Sequence, residues 1–66
     1  MTHVGNIAEA VERCRALSLN RAHILVFPHP LGTEEVGTLE NELRQIPEKA
    51  YGVDDQGDKV VVMRTA

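Results

Sequence analysis

The chain is nearly devoid of aromatic side chains. Tryptophan is absent, and Phe27 and Tyr51 are each the only residue of their type. Two rings are too few to form a base-stacking platform for single-stranded nucleic acid. Cysteine is equally scarce. Cys14 has no second cysteine to join, so no internal disulfide can form, and a reducing, cytoplasmic setting is expected. No apolar run approaches the roughly 20 residues of a membrane-spanning helix, so no membrane partner is expected. Residues Met1 to Asn6 lack the basic start and apolar stretch of a secretory signal.

Positive charge is also in short supply. Seven Lys and Arg face ten Asp and Glu, for a net charge of −3. The excess is concentrated in residues 34–58, where Glu34, Glu35, Glu40, Glu42, Glu48, Asp54, Asp55 and Asp58 stand against Arg44 and Lys49. A segment this acidic repels phosphate backbones, so direct nucleic-acid binding is disfavoured and a basic protein surface is the better match. The plainer account is a solvated helix face followed by a charged turn.

What is present organises well. At 66 residues the chain is expected to form one domain over 1–66, with about 60% of its unfolded surface buried. Asn6 can cap a first helix, with Glu9 completing a capping box. Ile7, Val11, Cys14 and Leu17 then recur on one stripe, which predicts a helix over Ile7–Leu19 that Asn20 terminates. Ala22–Phe27 reads as a strand, ended by Pro28-His29-Pro30. Thr33 can cap a second helix, with Glu34 and Glu35 in the first turn where the helix dipole favours them. Val36, Leu39, Leu43 and Ile46 form its apolar stripe, and Pro47 closes it. Gly37 interrupts that helix, a choice that would suit a close backbone approach. Ala50–Val53 and Lys59–Met63 read as a hairpin around Asp54-Asp55-Gln56-Gly57-Asp58.

The expected fold is therefore an α+β two-layer sandwich in the order α-β-α-β-β. Its three-stranded, mostly antiparallel sheet has the C-terminal strand in the centre, because Val60-Val61-Val62-Met63 is apolar on both sides. Two helices on one face would leave the other face of the sheet apolar and wet, a surface suited to a partner or a second copy.

The chemistry-bearing residues are weak signals. His3, His23, His29 and Cys14 match no zinc spacing, so no metal or other cofactor is expected. His29 could pair with Glu34 or Glu35 as acid and base, but the pattern places no nucleophile beside it. Gly32-Thr33 offers helix-start amides to an anion, which the two glutamates oppose. The Asp54–Asp58 turn lacks the alternation and closing glutamate of a calcium loop. No family resemblance is identified.

The expected function is a small, acidic, non-enzymatic protein-interaction module that binds and blocks or adapts a basic surface of a larger protein. Glu34, Glu35, Glu40, Glu42, Asp54, Asp55 and Asp58 would steer the encounter. Phage-encoded inhibitors of nucleic-acid-handling complexes, anti-CRISPR proteins among them, share this size and charge, with no motif behind the likeness. The alternative is a homo-oligomeric structural or accessory subunit that pairs with its own copy, as a homodimer, through the exposed sheet face.

Overall fold

The computed structural model describes residues 1–66. Six elements follow one another: β1 (Thr2–His3), α1 (Ile7–Arg15), β2 (Ala22–Val26), α2 (Thr33–Arg44), β3 (Tyr51–Asp55) and β4 (Val60–Arg64). The α+β class is as expected, while the order and strand number differ. A short first strand pairs parallel to β2, which makes the sheet four-stranded and mixed, in the order β1-β2-β4-β3. β4 lies inside the sheet, antiparallel to both β2 and β3.

Both helices are positioned by their apolar stripes. Ala10, Val11 and Cys14 of α1 and Leu39 and Leu43 of α2 are buried against Leu25, Val60 and Val62 of the sheet. Asn6 caps α1 by accepting the Glu9 amide at 2.8 Å. The reciprocal arm goes one residue further out, as the Glu9 carboxylate accepts from the Gly5 amide at 2.9 Å. At α2 the expected cap shifts by one position. Gly32 is the N-cap and Thr33 the first helical residue, with the Glu35 carboxylate accepting from the Gly32 amide at 3.2 Å.

The first helix is shorter than its periodicity suggests, ending at Arg15 rather than near Leu19. Leu17 still fills the core, but its carbonyl accepts from the Arg64 guanidinium at 3.2 Å instead of continuing the helix. The chain then turns, with the Arg21 amide donating to the Ser18 carbonyl. Asn20 takes φ 64° inside this turn, so its left-handed tolerance serves the entry to β2 and not the helix end. The hairpin is longer than expected. The strands pair as far as Asp55 with Val60, and the Gln56 amide still reaches the Lys59 carbonyl at 2.9 Å. Asp54 and Asp55 are thus strand residues, and the turn proper is Gly57-Asp58, with Gly57 at φ 89°. No helix is long and apolar enough to cross a membrane.

Candidate functional site

The side of the sheet away from the helices is open. Along β2 and β4, residues alternate between the core and this outer face. Leu25, Val60 and Val62 are buried, while Ile24 is 38% and Met63 43% exposed. Ile24 pairs across strands with Val61, and Ala22 with Met63. On the far side Val61 pairs with Asp54, and Met63 with Gly52. The centre of the face is therefore aliphatic, and a carboxylate stands at its β3 margin.

The topology explains why this face stays open. β2 and β3 are both antiparallel to β4, so they are parallel to each other and to β1. The connections β1-α1-β2 and β2-α2-β3 both step in the same direction across the sheet. Crossovers of one hand that advance in one direction place their helices on the same side.

The seven carboxylates singled out from the sequence do not form one patch. Glu34, Glu35, Glu40 and Glu42 belong to α2 on the helical layer, while Asp54, Asp55 and Asp58 belong to the hairpin. Several are already engaged locally. Glu40 pairs with Arg44 at 3.6 Å, and Glu35 lies 3.9 Å from His29 while also holding the Gly32 amide. Asp54 accepts from the Gln56 side-chain amide at 2.9 Å, and Asp55 from the Gly57 backbone amide at 3.0 Å. Those last two partners are neutral, so the hairpin keeps its negative charge. Glu42 lines a shallow groove between the helices together with Val11, Arg15 and Thr38. Glu34 and Asp58 are exposed and make no ion pair.

His29 donates from Nδ1 to the Pro30 carbonyl at 3.0 Å, and its Nε2 faces Glu35. Both side chains are open to solvent, and no hydroxyl or thiol hydrogen-bonds to either. His3, His23 and Cys14 do not converge with His29 on a common point. Cys14 is fully buried, and loss of water around the thiolate pushes its pKa up from 9.0 to about 11. The protonated thiol there behaves as a small apolar group. One polar atom was not anticipated. The Tyr51 hydroxyl is buried with no hydrogen-bond partner, although other parts of the residue help line a cleft of about 210 Å³ between α2 and β3. Such a group has no signature in a linear pattern, because its burial depends on how α2 crosses the strand.

The chain matches no protein-family model, no curated protein and no solved structure.

Proposed function

We propose that this chain is a small, acidic, non-enzymatic protein-interaction module that binds a basic surface of a larger protein and blocks or adapts it. The observation that carries this reading is the helix-free sheet face, where Ile24 and Met63 remain substantially exposed beside Asp54. An aliphatic centre supplies contact area, and uncompensated carboxylates at the hairpin end supply steering toward positive charge. A standard interface takes about 800 Å² per partner. That is about a fifth of the 4223 Å² surface of this chain, so the face and its acidic margin would both be used. One form of such a module is an inhibitor of a nucleic-acid-handling complex, an anti-CRISPR-like role supported by size and charge alone. A cytoplasmic setting belongs to the same reading, since Cys14 is buried as a free thiol.

The test compares capture from native lysate by the unaltered chain, by Ile24→Gln with Met63→Gln, and by Asp54→Lys with Asp58→Lys. A protein retained by the first, lost by the second, and retained by the third only at reduced on-rate supports the proposal. A partner indifferent to both pairs of substitutions overturns it. The second reading, a homo-oligomeric subunit, is favoured by the same aliphatic face, which has no like charge at its centre to oppose a copy of itself. Sedimentation across a concentration series separates the two. A monomer at high concentration removes the homo-oligomer, and a dimer lost in Ile24→Gln with Met63→Gln removes the open face from foreign use.

A further inference from the structure

We draw no further inference here: the strongest candidate, the shallow groove of about 420 Å³ between α1 and α2 where Ile7 and Val11 lie beside Glu12, Arg15, Thr38 and Glu42, sets Arg15 against the two carboxylates, and nothing in the structure shows what covers it.

Discussion

Cys14 lies within α1 with none of its surface exposed, and its ionisation links stability to alkaline pH. In the unfolded chain the thiol loses its proton near pH 9, whereas burial holds it on to about pH 11 in the folded chain. Between those values the unfolded state binds fewer protons, so the contribution is intact below pH 9 and declines as pH rises toward 11. Urea midpoints measured at about pH 8 and about pH 10 should fall more for the unaltered chain than for Cys14→Ala. Thiol reagents should label Cys14 only as the chain unfolds. Leu39, fully buried on α2, is expected to cost about 2–5 kcal/mol on substitution by Ala. That loss is comparable to the whole stability of so short a domain, and thermal melting followed by circular dichroism would show it.

Elements carry their own predictions. Gly37 sits inside α2, where a Cβ would meet open space. The close backbone approach suggested by the sequence is not there, and Gly37→Ala should stabilise the fold by about 1 kcal/mol in urea unfolding. A destabilised variant would show that some feature of the helix other than propensity requires glycine. Both helices were legible because their stripes combine period 3.6 with a start signal, as at Asn6 and Glu9. Their ends were less so. Leu17 continues the apolar repeat, yet a guanidinium 47 residues away claims its carbonyl, and local spacing has no access to such a partner. β1 was missed for a related reason. Two residues, Thr2 and His3, hold no period, and they become a strand only because β2 offers a parallel edge. Glu48, at φ 66°, occupies a left-handed position with none of the usual Gly or Asn signature.

At the scale of the molecule, the decisive feature is the asymmetry between the two sides of the sheet. Substitutions should report it directly. Ile24→Lys and Met63→Lys, on the open face, are expected to leave stability within about 0.5 kcal/mol. Val62→Lys places a charge among the buried residues one position away, and should unfold the domain. If Ile24→Lys proved as damaging as Val62→Lys, the outer face would have to be covered in solution. The apolar character of both faces was legible in Val60-Val61-Val62-Met63. The scattering of the acidic residues was not, since sequence neighbours such as Asp54 and Asp55 point to opposite sides of a strand that the pattern had placed in a turn.

The order in which the sheet is stitched together also bears on how the domain is made. β2 and β3 never touch, and the strand that joins them follows both along the chain. Neither can be completed by the segments that precede β4, so partial folds up to residue 59 have a gap where the middle rung belongs. Acquisition of structure should accordingly be a single concerted event governed by distant pairings, slower than for a helical bundle of equal length.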